Sequence, residues 1–274
     1  MTLIARDLRQ VYARGEPDET LALDVKALRL EDGEFVVIAG NSGSGKSTLL
    51  RCLAGLLDPT SGEIAIDGVD VRKRRGLIGL AVQFPERALF GKTLYDDVAF
   101  GLRNKGLDED DVRRGVLSAI DLVGLDEGLL ASPPRSMSQG QKRLASLAGA
   151  IAQGPKYLFL DEPTAGLDPG GRRKVIEALA CLNRDGMAIV AASHNMAHFS
   201  RALGRLVILE SGEIKFDGNP DGLVSMEGLE TMGLALPPSL ACARELMRQG
   251  ISVEWDAGPE KIAESLGRAH EGGV

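Results

Sequence analysis

The stretch Gly40-Asn41-Ser42-Gly43-Ser44-Gly45-Lys46-Ser47-Thr48 has the residue types and spacing to hold a run of phosphates. Glycines let successive backbone N–H groups turn toward one anion, and a helix beginning at the lysine adds the positive end of its dipole. In the pattern G-x-x-x-x-G-K-S, Lys46 is a point charge for the β- and γ-phosphates and the Ser47 hydroxyl is a ligand for Mg²⁺. The expected ligand is a nucleotide, contacted by the loop from Asn41 through Ser42, Gly43, Ser44 and Gly45 to Lys46, Ser47 and Thr48. A second set of groups sits where Tyr157-Leu158-Phe159-Leu160 runs into Asp161-Glu162-Pro163. Neighbouring side chains on a strand face opposite ways, so the two acids can serve different partners. Asp161 is the candidate for holding Mg²⁺, and Glu162 the candidate general base for an attacking water.

Such groups need elements to place them. Phe35-Val36-Val37-Ile38-Ala39 reads as a strand entering the loop, and residues 46–57 read as a helix leaving it, with Leu49, Leu50, Leu53, Leu56 and Leu57 at helical spacing. A flexible Gly/Ser turn would lack both flanks. Upstream, residues 3–11 and 21–30 are β-type runs around an acidic loop at 15–20. Residues 108–123 fit a helix with Val112, Val116, Ala119, Ile120 and Val123 on one face. Residues 205–210 and 213–216 flank Ser211-Gly212 as a hairpin. A chain of 274 residues, 44% hydrophobic and 26% charged, has enough apolar content for one main domain plus a small unit.

The same composition excludes several roles. The longest apolar runs, at 35–39, 187–192 and 206–209, fall far short of the roughly 20 residues a membrane-crossing helix needs. The start, MTLIARDLRQ, lacks the uninterrupted apolar core of an export signal, so a cytoplasmic chain is expected. Cys52, Cys181 and Cys242 are scattered and read as reduced thiols. A net charge of −7 argues against nucleic acid as a partner, and the basic run at 72–75 reads as a solvated turn between strands.

Just before the 157–160 strand, Met137-Ser138-Gln139-Gly140-Gln141 opens a helix-like stretch. It resembles the LSGGQ signature of the ABC ATPase family, with Met137 for Leu and Gln139 for the first Gly. The other family motifs follow in order. Gln83 resembles the Q-loop glutamine that meets Mg²⁺ and the attacking water, Ala165-Gly166-Leu167-Asp168 the D-loop, His194 the switch histidine, and Tyr12 the aromatic that stacks on adenine. The resemblance covers about residues 1–220 and implies ATP hydrolysis with Glu162, His194 and Gln83 as catalytic residues. Mg²⁺ is then held by Ser47, Gln83 and Asp161, while Ser138, Gly140, Gln141 and Asp168 reach the ATP of a second ATPase subunit, in a homodimer or a heterodimer.

It also implies an α/β P-loop NTPase fold of the ABC ATPase type, with an antiparallel β layer and a helical subdomain over about 85–144. Soluble ABC ATPases that act on DNA or ribosomes carry a long coiled coil or two cores, which this sequence lacks. Gln83-Phe84-Pro85-Glu86-Arg87-Ala88-Leu89-Phe90 and Asp97-Val98-Ala99-Phe100-Gly101 resemble energy-coupling factor (ECF) transporter ATPases. So do the acidic insertion before Leu23 and Thr164-Ala165-Gly166-Leu167-Asp168-Pro169, which are similar to the second member of the paired ATPases. Membership implies a peripheral place on the cytoplasmic face of the membrane, a transmembrane scaffold, a substrate-binding membrane subunit, and uptake of a vitamin or transition-metal ion. Leu89 and Phe90 are then expected as an exposed pair facing the scaffold, the alternative being packing inside the helical subdomain. The C-terminal extension, 221–274, is expected to be a dimerisation element; the helix read at 239–249 carries a stripe of Leu240, Ala243, Leu246 and Met247 that serves either a dimer face or local packing.

Overall fold

The computed structural model describes residues 1–199, 204–223, 238–251, 253 and 262. Strand β1 (Thr2–Tyr12) pairs antiparallel with β2 (Thr20–Glu31) and with β4 (Ser61–Ile66), and β5 (Val69–Asp70) completes a four-stranded sheet. The second sheet has six strands. Its parallel core orders β9 (Arg205–Glu210), β3 (Phe35–Ala39), β8 (Ala188–Ser193), β7 (Tyr157–Asp161) and β6 (Ile78–Ala81), and β10 (Glu213–Gly218) pairs antiparallel at the β9 edge.

Every residue of β3, β7 and β8 is buried, which explains why their sequences are runs of apolar residues and not alternating ones. Alternation survives in which core each residue enters. Phe35 and Val37 join the cluster under the helices α2 (Leu94–Asn104), α3 (Glu109–Val123), α4 (Gln139–Ala152) and α5 (Pro169–Arg184). Val36 and Ile38 join a second cluster with α1 (Lys46–Leu53) and the antiparallel sheet.

Helix starts follow local chemistry. Thr93 caps α2 by accepting from Asp96 N at 3.1 Å, and Asp108 caps α3 by accepting from Asp111 N at 2.8 Å. Glu109, Asp110 and Asp111 add negative charge at the α3 N-terminus, where the dipole favours it. The α3 helix matches its expected 108–123 span with Asp108 as the cap. By contrast α1 stops at Leu53 instead of reaching residue 57, because Gly55 takes a left-handed φ of 66° and turns the chain away. Leu56 is left 62% exposed, while Leu57 packs against the α1 core. The basic run at 72–75 lies in a 3₁₀ helix, Val71–Leu77, capped by Asp70, and its four residues are exposed.

Leu89 and Phe90 part company. Leu89 is partly buried against the helical core, whereas Phe90 is 68% exposed and meets Phe100 edge-on at 4.8 Å. In the tail, α6 (Pro238–Arg248) puts Leu240 and Ala243 into the same cluster as α2–α5, so this part of its stripe is used within the chain. Met247 stays 43% exposed. The rest of the expected 221–274 extension, apart from 221–223, 249–251, 253 and 262, lies outside the described residues. No described helix is long and apolar enough to cross a membrane.

Candidate active site

Strand β3 delivers the chain into the loop at residues 40–45, and α1 begins at Lys46. Gly43 and Gly45 hold φ values of 82° and 102°, conformations an L side chain resists. A Cβ on Gly45 would also lie 2.5 Å from the Ala22 carbonyl oxygen. The β2 wall therefore stands directly on the loop. A chain of backbone hydrogen bonds reinforces this contact: Gly212 N donates to Ser44 O at 3.0 Å, and Asp24 N donates to Gly212 O at 2.9 Å. The β9–β10 turn thus stitches the loop to β2.

Lys46 is buried along its stem, and its Nζ donates to Gly40 O at 2.7 Å and Asn41 O at 2.8 Å. Burial pulls its pKa down, and the carboxylates of Glu162 and Asp161 oppose that pull. Asp161, the last residue of β7, is 6% exposed. Burial pushes its carboxyl above the usual range, against a hydrogen bond from Ser47, and its buried Oδ1 has no hydrogen-bond partner. Glu162 follows with a left-handed φ of 52°. Its Oε1 accepts from His194 N at 2.9 Å and lies 2.8 Å from His194 Nδ1, while Ser193 Oγ donates to Oε2 at 3.3 Å. The end of β8 thus grips a carboxylate that the end of β7 supplies.

These groups meet in one cleft of about 360 Å³. Tyr12, Ser42, Gly43, Gly45, Lys46, Ser47, Thr48, Gln83, Asp161 and Glu162 line it, together with Thr20, Leu21 and Ala22 of β2. The Tyr12 hydroxyl is 3.3 Å from Thr48 Oγ1, and the ring is 40% exposed at the rim. Asn41 and Ser44 instead line a smaller hollow of about 220 Å³ against residues 208–211. His194 reaches the cleft through Glu162 and is itself 61% exposed. Ser138, Gly140, Gln141 and Asp168 do not line the cleft. Ser138 Oγ accepts from Gln141 N at 3.2 Å while Ser138 N donates to Gln141 Oε1 at 2.8 Å, a reciprocal cap on α4. Asp168 Oδ1 accepts from Gly171 N at 2.6 Å and caps α5.

Residues 23–165 match the family described as ABC transporter. The energy-coupling factor transporter ATP-binding protein EcfA2 of Symbiobacterium thermophilum is 40% identical over 264 residues, spanning 93% of this chain and 92% of that protein. The protein of the same name in Clostridium perfringens is 39% identical over 263 residues, 92% of each chain. The chain belongs to the ATP-binding subunits of ECF-type ABC transporters. Among solved structures similar to this ABC ATPase, the cassette MJ0796, a dimeric post-hydrolysis state bound to ADP and Pi, gives a TM-score of 0.74 at 28% identity. It covers 79% of this chain and 98% of that one. CbiO1 of Clostridium perfringens, described as part of the ABC transporter complex CbiONQ, gives 0.70 at 31% identity, covering 90% of this chain and 95% of that one. The fold is accordingly the ABC ATPase form of the P-loop α/β architecture, and the chain is an ATP hydrolase.

Around this ABC ATPase site stand groups that the motif reading passed over. Thr20, Leu21 and Ala22 form the wall beside Tyr12, and only the return of β2 onto the loop reveals them. Arg143 donates through Nη1 to Glu162 O at 2.5 Å and through Nη2 to Gln83 O at 2.9 Å. His198 lies four residues after His194, with Thr164 Oγ1 3.0 Å from its Nδ1 and Arg172 Nη1 2.9 Å from its Nε2. Arginine only donates, so Nε2 must accept and the proton sits on Nδ1. Burial lowers the His198 pKa first, Arg172 and His194 lower it further, and Glu162 opposes them. With the folded value below 6.5, the unfolded chain binds this proton more readily, so the stability tied to neutral His198 is complete above 6.5 and is lost as pH falls below it. The melting temperature should therefore drop between about pH 7.5 and about pH 5.5, and His198→Asn should shrink that drop. An equal drop in the variant would show that the pH sensitivity lies elsewhere.

Proposed function

We propose that this chain is the ATP-hydrolysing subunit of an ECF-type importer, driving uptake of a vitamin or a transition-metal ion from the cytoplasmic face of the membrane. The observation that carries the reading is the convergence of Lys46, Ser47, Gln83, Asp161 and Glu162 in one cleft, in a chain whose relatives are ECF ATP-binding proteins.

ATP enters with its base against Tyr12 and its phosphates over the loop from Asn41 to Thr48. Lys46 exchanges the carbonyls of Gly40 and Asn41 for phosphate oxygens, keeping its donors satisfied in both states. A Mg²⁺ ion fits the donor set of Ser47, Asp161 and Gln83, since all three line the cleft and the buried Asp161 Oδ1 has no hydrogen-bond partner. When bound, Mg²⁺ supplies charge neutralisation at the terminal phosphates. Glu162 takes a proton from the attacking water as it approaches in line, and His194 and Ser193 hold the carboxylate in place. Ser138, Gly140, Gln141 and Asp168 serve the nucleotide of a second ATPase subunit, identical or related, so that closing two chains completes each site. The positive N-terminal end of α4 suits that role, and the C-terminal extension is assigned to dimerisation.

The surface beside Gln83 supports docking on a transmembrane scaffold that also carries a substrate-binding subunit. Phe84, Phe90 and Phe100 are 45%, 68% and 48% exposed, and Asp97 Oδ1 pins the turn by accepting from Phe90 N at 2.8 Å and Gly91 N at 2.7 Å. An aromatic anchor in a rigid turn suits burial by a partner helix. The test is co-purification in detergent with a small membrane scaffold. Phe90→Asp should weaken the complex by about 30-fold or more, the scale of losing a buried aromatic anchor, with the melting temperature of the free chain unchanged. A wild-type chain that purifies from membranes without any such subunit would point to a soluble ABC ATPase.

A further inference from the structure

Arg143 lies on α4, on the turn after Ser138, Gly140 and Gln141, and is half-buried behind the cleft. Its two guanidinium nitrogens reach two carbonyls that belong to different strand ends. Nη1 donates to Glu162 O at 2.5 Å, just past β7, and Nη2 donates to Gln83 O at 2.9 Å, just past β6. Both contacts are to backbone, so they fix where each residue's peptide lies and leave its side chain free for the cleft.

Each of those peptides needs fixing. Glu162 holds a left-handed φ of 52°, a conformation that costs a non-glycine residue on the order of 1 kcal/mol and persists only where surrounding contacts impose it. Its N–H is anchored to Ala192 O at 3.0 Å, and Arg143 anchors its carbonyl, so the peptides on both sides of the residue are held. Gln83 precedes the exposed Phe84 on a connection where no regular element sets its position. The guanidinium also lies in the field of nearby carboxylates. Burial acts to lower its pKa, and the charges of Glu162, Glu86 and Asp161 oppose that.

We propose that Arg143 is a positioning residue that sets Gln83 and Glu162 against the N-terminal turn of α4, so that hydrolysis in a chain's own cleft depends on what its signature helix has met. This rests on the reading of Gln83 and Glu162 as hydrolytic groups and of Ser138, Gly140 and Gln141 as contacts to the partner's nucleotide. A helix moves as a unit, so a nucleotide that draws the α4 N-terminus forward moves Arg143 with it. Both carbonyls then follow together. Lysine would do this poorly, because its donors radiate from a single nitrogen on a flexible stem, without the planar fork whose two nitrogens reach separately to the two strand ends.

The experiment uses the full chain in its assembled transporter and compares wild type, Arg143→Lys, Ser138→Ala and the double variant. Arg143→Lys should lower kcat by about tenfold or more while KM for ATP, the affinity for a fluorescent ADP analogue and the melting temperature stay close to wild type. Because both changes interrupt one route, the double variant should lose no more than the worse single one. A kcat within about twofold of wild type, or losses that multiply in the double variant, would overturn the inference. So would a parallel fall in kcat, nucleotide affinity and melting temperature, or failure of both Arg143→Lys and Arg143→Gln to assemble, since either marks a purely structural residue. Failure of the underlying reading looks different: the wild-type assembly would hydrolyse no ATP, or Glu162→Gln would leave its rate untouched.

Discussion

Glu162→Gln should leave ATP bound and lower its hydrolysis by about 10²- to 10⁴-fold, the range for removing a positioned general base. The amide has the shape of the carboxylate, so its oxygen can still accept from His194 N, now 2.9 Å from Oε1. Glutamine is no worse than glutamate at the left-handed backbone position, because the strain there belongs to any Cβ. What the amide lacks is a lone pair basic enough to take a proton from water. Nucleotide contacts through Lys46, Ser47 and the loop amides are untouched, so affinity should hold. With hydrolysis blocked and binding intact, the closed pair of subunits should accumulate on adding ATP, visible as unhydrolysed nucleotide that stays with the protein through gel filtration. Normal turnover in the variant would remove Glu162 from the mechanism and leave His194 as the group to examine.

The second large effect is expected at Lys46. Lys46→Met keeps most of the buried stem and deletes the charge, so the core around α1 should survive. The lost hydrogen bonds to phosphate oxygens are charge-assisted, and at about 1.5–3 kcal/mol they correspond to a roughly 10- to 150-fold weaker affinity for ATP. Titration with a fluorescent ATP analogue reads this directly. The size of the loss is tempered because Lys46 Nζ already bonds to Gly40 O and Asn41 O. Binding exchanges partners, and the gain is the difference between phosphate and carbonyl as acceptors. An unchanged affinity would mean that the backbone amides carry the phosphates alone.

How far the molecule can be read from its sequence depends on whether the signal is local. The β3–loop–α1 unit is legible because an all-buried parallel strand must be an apolar run and a phosphate loop must be glycine-rich, both visible within a dozen residues. The span of α3 is legible for a similar reason, with Asp108 as a cap and a regular apolar face. The far end of α1 was not, because a leucine periodicity continues through Leu56 and Leu57 although Gly55 has already turned the chain. Leu89 and Phe90 are adjacent and both apolar, and only the packing of the helical layer decides that one goes in and the other out. Arg143 and His198 carried no local mark at all. Their partners come from strand ends and turns that meet only in three dimensions, and nothing in the spacing of an arginine inside a helix announces which carbonyls it will reach.

The stitch made by Gly212 has a kinetic consequence. Through Ser44 and Asp24 it joins the phosphate loop to β2, the strand that walls the cleft beside Tyr12, and the Ala22 carbonyl stands directly against Gly45. The loop and the β2 wall therefore form one mould on this side of the cleft, joined by backbone hydrogen bonds. A mould of this kind grips ADP in nearly the pose it gave ATP, so splitting the terminal phosphate does little by itself to eject what remains. On the two-subunit reading, the exit of spent nucleotide waits on withdrawal of the opposing chain, and the turnover clock is kept at the seam between the subunits and not inside either one.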